Sequence, residues 1–240
     1  NNGTRLLQYI TNGDKTYQAT VVLGAATVTD DVEGEVISRA DVSAITDAQI
    51  EAEMAKMRGT IMQRPSSVSA VKVDGERAYD RVRAGESVEL AAREVTISQL
   101  DIKEIRRIDN AIEVDIEVTC SAGTFIRAIA RDCGNALAVG GHLNSLRRTR
   151  VAGFALDKSI SLASLKAGEF STLGLVDVAR TTFSARELAL DEVNELSFGR
   201  PLSANPDEAI YAAISGQDLI ALLCNKDGLA KPIAVFAAAN

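Results

Sequence analysis

Nine residues near the middle of the chain restrict its fold more than any other feature. From Ile112 to Cys120, the residues Ile112, Val114, Ile116, Val118 and Cys120 alternate with Glu113, Asp115, Glu117 and Thr119. A period of two sustained over such a stretch describes a strand with one face in a core and the other in water, as antiparallel sheets have. Its predicted partner is Val95–Ile105, joined to it through a polar turn at Asp109-Asn110. Another strand is predicted over Lys15–Leu23, where β-branched residues run up to Gly24. Helix signals stand around these strands. Thr46 with Gln49 three residues later opens a helix within Ser43–Arg58 that places Ile50, Met54 and Met57 on one face. Thr124 is expected to cap a helix carrying Phe125, Ile129, Cys133 and Leu137, and Thr4 one carrying Leu6, Leu7 and Ile10. Thr60–Ala70 has neither period and reads as a loop before Val71-Lys72-Val73, a turn at Asp74-Gly75 and a short helix over Arg77–Ala84. Strands and helices segregated in this way predict an α+β fold.

Several function classes are excluded by composition. His142 is the single histidine, which removes multi-histidine metal sites, and Cys120, Cys133 and Cys224 form no C-x-x-C pair, so neither a metal nor a disulfide framework is expected. Cys133 with His142 is the one conceivable thiol–imidazole dyad, and no orienting motif surrounds it. No apolar run approaches the roughly 18 residues of a membrane-spanning helix, so a cytoplasmic protein is expected. At 240 residues the chain accommodates one large and one small domain. The predicted boundary lies near residue 176, giving domains 1–176 and 177–240. The second opens with a capping box at Ser184 and Glu187, stops a helix at Gly199-Arg200-Pro201, and shows short strands around Ile210–Ile214, Leu219–Cys224 and Ile233–Phe236.

A formal net charge of −7 argues against uniform basicity, but the charge is unevenly placed. Residues 30–53 hold eight acids against Arg39, whereas residues 121–150 hold Arg127, Arg131, Arg147, Arg148 and Arg150 against Asp132 alone. Residues 56–83 are likewise basic. Local basic segments of this kind are what a polyanion groove requires, because screening mutes distant charges.

Specific strings sharpen this picture. K-T-Y at 15–17, T-D-D-V-E-G at 29–34, P-S-S-V-S-A-V-K-V-D-G at 65–75, G-T-F-I-R-A-I at 123–129, R-D-C-G at 131–134, G-G-H at 140–142 and L-R-R-T-R at 146–150 occur in order. Together they resemble the bacterial tRNA pseudouridine synthase B (TruB) family, its actinobacterial branch most, from Asn1 to about Phe154. The resemblance implies a pseudouridine-synthase-like mixed or antiparallel sheet with flanking helices, followed by a small β-rich, PUA-like RNA-binding domain. It implies isomerisation of uridine 55 in the tRNA T-loop, by base flipping and by cleavage and re-formation of the glycosidic bond, without cofactor or metal. A monomer acting on the tRNA T-arm is expected.

By the same resemblance, Arg127 pairs with and orients the catalytic aspartate, Tyr17 packs on the target uracil and takes part in removing its C5 proton, and Asp31 belongs to the active-site hydrogen-bond network. Leu146 walls the uracil pocket, while Lys72, Arg147 and Arg148 contact substrate. Val28 and Phe125 depart from the family pattern, the latter replacing a commoner tyrosine by a ring without a hydroxyl. The family's nucleophilic aspartate lies in a G-T-L-D-P-like loop upstream of the position matching Asn1, and no such string occurs in these residues. The expectation is therefore an N-terminally incomplete synthase, inactive as it stands. A non-catalytic tRNA-binding or tRNA-folding protein on the same scaffold is the alternative.

Overall fold

A computed structural model describes residues 2–66, 68, 90–205 and 210–237, with the backbone of 72–73 and 76–77. It resolves into two compact units, Asn12–Val151 on the one hand and Asn1–Thr11 with Ala152–Asn240 on the other. The break thus falls at Val151/Ala152, whereas sequence composition placed it near residue 176.

In the unit Asn12–Val151, strands β1 (Lys15–Leu23), β4 (Gly59–Gln63), β7 (Arg93–Ile108), β8 (Ala111–Cys120) and β9 (Gly141–Val151) run antiparallel in the spatial order β9-β1-β8-β7-β4. Short ribbons pair β2 (Ala25–Thr27) with β3 (Val36–Arg39) and β5 (Lys72–Val73) with β6 (Glu76–Arg77). The alternation at 112–120 is borne out: Ile112, Val114, Ile116, Val118 and Cys120 are buried, and the polar residues between them face the other way. Asp109 closes the β7–β8 hairpin at φ 48°, a left-handed conformation that aspartate tolerates. One sheet face is covered by the helices Asp47–Ala55 and Ile126–Ala136, whose Ile50, Met54, Ile129 and Cys133 join Val21, Leu23, Ile97 and Leu100 in one core.

The Thr46–Gln49 capping box forms as expected, with Thr46 N–H donating to Gln49 Oε1 at 2.9 Å. That helix is shorter than predicted, because Met57 and Arg58 donate to the carbonyls of Met54 and Ala55 in tightened turns. Thr124 does not cap the following helix. Its hydroxyl donates back to Ser121 O at 3.0 Å, and Phe125 occupies the N-cap position with no side-chain cap. Gly134 and Gly141 mark where this helix crosses β9: a Cβ on Gly134 would meet the Gly140 and Gly141 backbone, and one on Gly141 would meet Ala130 O. The predicted turn at Asp74-Gly75 and residues 78–84 of the predicted helix lie outside the described residues; Arg77 itself belongs to β6.

In the second unit, β11 (Ala185–Glu187), β12 (Leu202–Ser203), β13 (Tyr211–Ser215), β14 (Asp218–Lys226) and β15 (Leu229–Val235) form a sheet in the order β11-β13-β14-β15-β12. The short strand β10 (Phe154–Ala155) precedes it in the chain. The helix Asn2–Ile10 starts before Thr4, which lies inside it, and buries Leu6 and Ile10 among Val176, Ala179, Ile214 and Leu222. Ser184 and Glu187 do not open a helix. Ala185–Glu187 pairs in parallel with β13, and the helix Leu190–Ser197 begins three residues later, where Glu192 accepts from Ala189 N–H at 3.1 Å.

Candidate active site

Where the helix Ile126–Ala136 ends its cover, the sheet face carries on as the floor of a cleft. Tyr17 lies on the face shared with buried Ala19 and Val21; opposite it across β9 stands Arg148, and Leu146 pairs with Ala19. Leu146 is consequently a core-facing residue without cover, 48% exposed. Burial holds the Tyr17 phenol above its ordinary value, with Cys120 adding to the rise and Arg148 opposing it.

One wall is the start of the helix Ile126–Ala136. The buried amide of Gln63, at the end of β4, takes the place of a cap: Phe125 N–H donates to Gln63 Oε1 at 2.8 Å, and Gln63 Nε2 donates to Phe125 O at 3.0 Å. The Arg93 guanidinium, opposite Gln63 on β7, lies 4.6 Å from the centre of the Phe125 ring.

The other wall is the T-D-D-V-E-G loop. Its ends are joined by Val28 N–H to Glu35 O at 3.0 Å, and Thr27 Oγ1 donates to Asp31 O at 2.7 Å. Asp30, at φ 59°, turns the chain so that Leu143 N–H reaches Asp30 O at 3.0 Å and Val32 N–H reaches Leu143 O at 2.8 Å. Gly34 is required by crowding, since a Cβ there would run into the Thr29 backbone N and hydroxyl. Thr29 Oγ1 donates to one oxygen of the Asp31 carboxylate, and Glu33 N–H donates to the same oxygen at 3.2 Å.

These walls meet at Arg127. Its Nη1 lies 3.0 Å from Asp31 Oδ2 and also donates to Thr29 O and Val68 O, each at 3.2 Å. Two cavities join here. One of about 220 Å³ is lined by Tyr17, Ser66, Val68, Phe125, Arg127 and Leu146. The other, of about 230 Å³, includes Asp31, Glu33, Arg127, Asn144 and Leu146. An apolar wall with an ion pair at its edge is the arrangement expected of a site that takes a flat, polar-edged base out of water.

The structure therefore brings together Tyr17, Asp31, Arg127, Leu146 and Arg148. Arg147 points to the opposite sheet face, where it lines a cavity of about 380 Å³ with Gln18, Thr20, Lys103 and Asp115. The Lys72 side chain lies outside the described residues. Cys133 and His142 form no dyad: the thiol is fully buried and pushed up to about 12 by that burial, while the His142 ring bonds Ala25 O at 3.0 Å. Gln63, Thr29 and Arg131 are given no role by the sequence alone, although Thr29 and Arg131 open the quoted T-D-D and R-D-C-G strings and Arg131 follows Arg127 by one helical turn. No group of acids, cysteines and histidines suited to a metal occurs among the described residues.

Comparison with known families decides what the site belongs to. Residues 1–126 match the family model described as TruB family pseudouridylate synthase (N terminal domain). The chain belongs to the TruB family of pseudouridine synthases. Residues 127–172 match the tRNA pseudouridylate synthase B C-terminal domain, and residues 183–237 match tRNA Pseudouridine synthase II, C terminal. The chain is similar to the tRNA pseudouridine synthase B of Arthrobacter sp. (strain FB24), at 48% identity over 100% of the chain and 82% of that protein. Its counterparts in Paenarthrobacter aurescens and Mycobacteroides abscessus are each 47% identical over 99% of the chain and 80% of their own length. These TruB relatives match the chain along its whole length under the name of the activity, so the expectation of an inactive protein is not borne out. The same fold occurs in the structure of an H/ACA RNP bound to a substrate RNA containing 2'-deoxyuridine, with TM-score 0.66 and 18% identity over 98% of this chain and 69% of that one. A Cbf5-Nop10-Gar1 complex gives TM-score 0.66 and 20% identity over 98% and 70%. No helix among the described residues is long and apolar enough to cross a membrane.

Proposed function

We propose that this protein is a tRNA pseudouridine synthase that isomerises uridine 55 of the T-loop after the base has flipped into the cavity beneath Tyr17, Phe125 and Leu146. The Arg127–Asp31 pair, fixed at the join of two small cavities with an apolar wall beside it, is the observation that carries this reading. The C1′–N1 bond breaks, the base turns, a C1′–C5 bond forms and the C5 proton leaves while N1 gains one, so substrate and product are isomers.

Each residue has a share in this sequence. Phe125 and Leu146 exclude water from the base and guide its rotation. Tyr17, neutral at rest because burial disfavours its phenolate, packs on the uracil and relays the C5 proton, its hydroxyl passing its own proton to solvent as it takes that one. Arg127 pairs with the Asp31 carboxylate and orients it at the edge of the base pocket. Exposed Arg148 beside Tyr17 contacts the RNA backbone, a role that the orientation of Arg147 does not favour. The β-rich unit is read as a PUA-like second RNA contact, and the protein as a cytoplasmic monomer recognising the T-arm.

The test is incubation of the purified protein with an unmodified tRNA transcript and with its T-arm stem-loop alone, followed by pseudouridine-specific chemical labelling and sequencing. One labelled T-loop position in both RNAs is expected. RNA binding with no labelled position would overturn the proposal in favour of a non-catalytic tRNA-binding protein.

A further inference from the structure

Arg131 stands one helical turn beyond Arg127 and repeats its neighbour's bonding pattern at the far end of the same two loops. Arg131 Nη1 lies 3.3 Å from Asp30 Oδ2 and 3.4 Å from Pro65 O, while Nη2 donates to Arg64 O at 2.7 Å. Nε is taken by Asp132 Oδ1 at 2.8 Å. Arg127 holds Thr29 O, Asp31 and Val68 O; Arg131 holds Asp30, Arg64 O and Pro65 O. Buried Ser66 closes the set by donating to Thr29 O at 3.2 Å. Two guanidinium forks on one helix face therefore pin the 29–31 loop and the 64–68 loop to each other and to the helix.

We infer that Arg131 is a positioning residue for the isomerisation, setting the carboxylate of Asp31 against Arg127 by fixing Asp30 and the 64–65 carbonyls. The inference rests on reading the Arg127 cavities as the reactive site. Arg131 lines neither of those cavities, so its influence passes through its neighbours. Asp30 is the residue before Asp31 and is held in a left-handed turn, so a shift of its side chain rotates the peptide that carries Asp31. Burial raises the Asp30 pKa even with Ser66 and Arg131 opposing the rise. An ion pair desolvated in such a place is poorly explained by stability alone.

The experiment compares Arg131→Gln, Arg131→Lys and Asp30→Asn with the parent protein, measuring kcat, KM, RNA affinity, melting temperature and amide exchange of the free protein. Arg131→Gln is expected to lower kcat by at least about tenfold, since small misplacements of reacting groups carry large rate penalties. KM and RNA affinity should stay within about threefold. Arg131→Lys should recover little of that kcat, because one ammonium cannot reproduce a guanidinium bonded to two carbonyls and two carboxylates. Asp30→Asn should lower kcat without lowering the melting temperature, a separation that a merely structural ion pair would not give. Faster exchange of the Val32 and Gly34 amides is expected in Arg131→Gln. Unchanged kcat in Arg131→Gln, or a loss carried by KM alone, would overturn the inference. If the parent protein converts no uridine, the functional proposal fails, and the inference is still decided by exchange: unchanged protection at Val32 and Gly34 overturns it.

Discussion

Replacing Gln63 by alanine should show how far the active-site wall depends on one side-chain amide. Gln63 is 2% exposed, and its two ends hold Phe125 N–H at 2.8 Å and Phe125 O at 3.0 Å. Alanine removes both bonds and strands two backbone groups at a half-buried helix start. Unsatisfied groups of this kind cost roughly 1–3 kcal/mol each when buried, and partial access of water to Phe125 places the sum at about 3 kcal/mol. For a protein of this size that corresponds to a fall in melting temperature of roughly 6–12 °C. Because Arg127 is two residues further on, kcat should fall as well.

Gln63→Glu sharpens the test. It keeps the acceptor for Phe125 N–H but sets a carboxylate oxygen against Phe125 O where a donor stood, so at neutral pH it should destabilise at least as much as alanine. Protonation restores a donor. The introduced carboxyl has a raised pKa in the folded state, so it binds its proton there at a higher pH than in the unfolded chain, and the variant's deficit should shrink as pH falls. Calorimetry of the parent, Gln63→Ala and Gln63→Glu between pH 5 and pH 8 decides it. A loss below about 1 kcal/mol for alanine, or a glutamate variant whose deficit does not depend on pH, would refute the clamp.

Three further outcomes are expected. Gly34→Ala should clash with Thr29, costing about 1–3 kcal/mol as overpacking does and lowering kcat through the Thr29 contacts to Asp31 and Arg127; a folded variant with parental kcat would contradict this. Iodoacetamide at pH 8 should label Cys224 first by mass spectrometry, because Cys133 and Cys120 are buried with thiols pushed up by that burial, to about 12 for Cys133. On the water-facing side of the sheet, Arg106 bonds Asp115, Glu113 and Glu104, and holds Asp115 below its ordinary value. A depressed aspartate pKa stabilises above the unfolded value and ceases to do so as pH falls through the folded one, so the melting-temperature gap between parent and Arg106→Met should narrow on acidification below about pH 4.

What the sequence discloses and what it conceals divide along the range of the forces involved. The 112–120 strand is legible because a period of two with one buried face admits few other structures, and the Thr46–Gln49 box because both partners lie within one turn. Thr124 misleads for the complementary reason: a distant amide, Gln63, satisfies the helix start that a local cap would have served. The assignment of Asn2–Ile10 to the same unit as residues 152–240 leaves no mark in any local pattern. At the site, the strings single out Tyr17, Asp31, Arg127 and Leu146. Strand alternation could also have separated Arg148 from Arg147, had the irregularities in the β1–β9 register, at Thr16/Tyr17 and Thr20/Val21, been visible beforehand.

The Arg127–Asp31 pair makes little sense as a stabilising element. Arg127 is 36% exposed and Asp31 18%, and pairs so accessible to solvent contribute at most about 1 kcal/mol. Its geometry is better understood as orientation. All contacts of Arg127 among the described residues run through Nη1, which is shared between one carboxylate and two carbonyls. A guanidinium offers five donors in a fixed plane, so anchoring one nitrogen sets the direction of the others without using them. The carbonyl anchors come from two different loops, and those loops are in turn joined by Ser66 and Arg131. A charge held in this manner is ready before substrate arrives, and reorganisation that would otherwise accompany the reaction has already been met in folding. The site's rigidity thus comes from main-chain oxygens of two loops aimed at Arg127 and Arg131, guanidinium groups on successive turns of one helix.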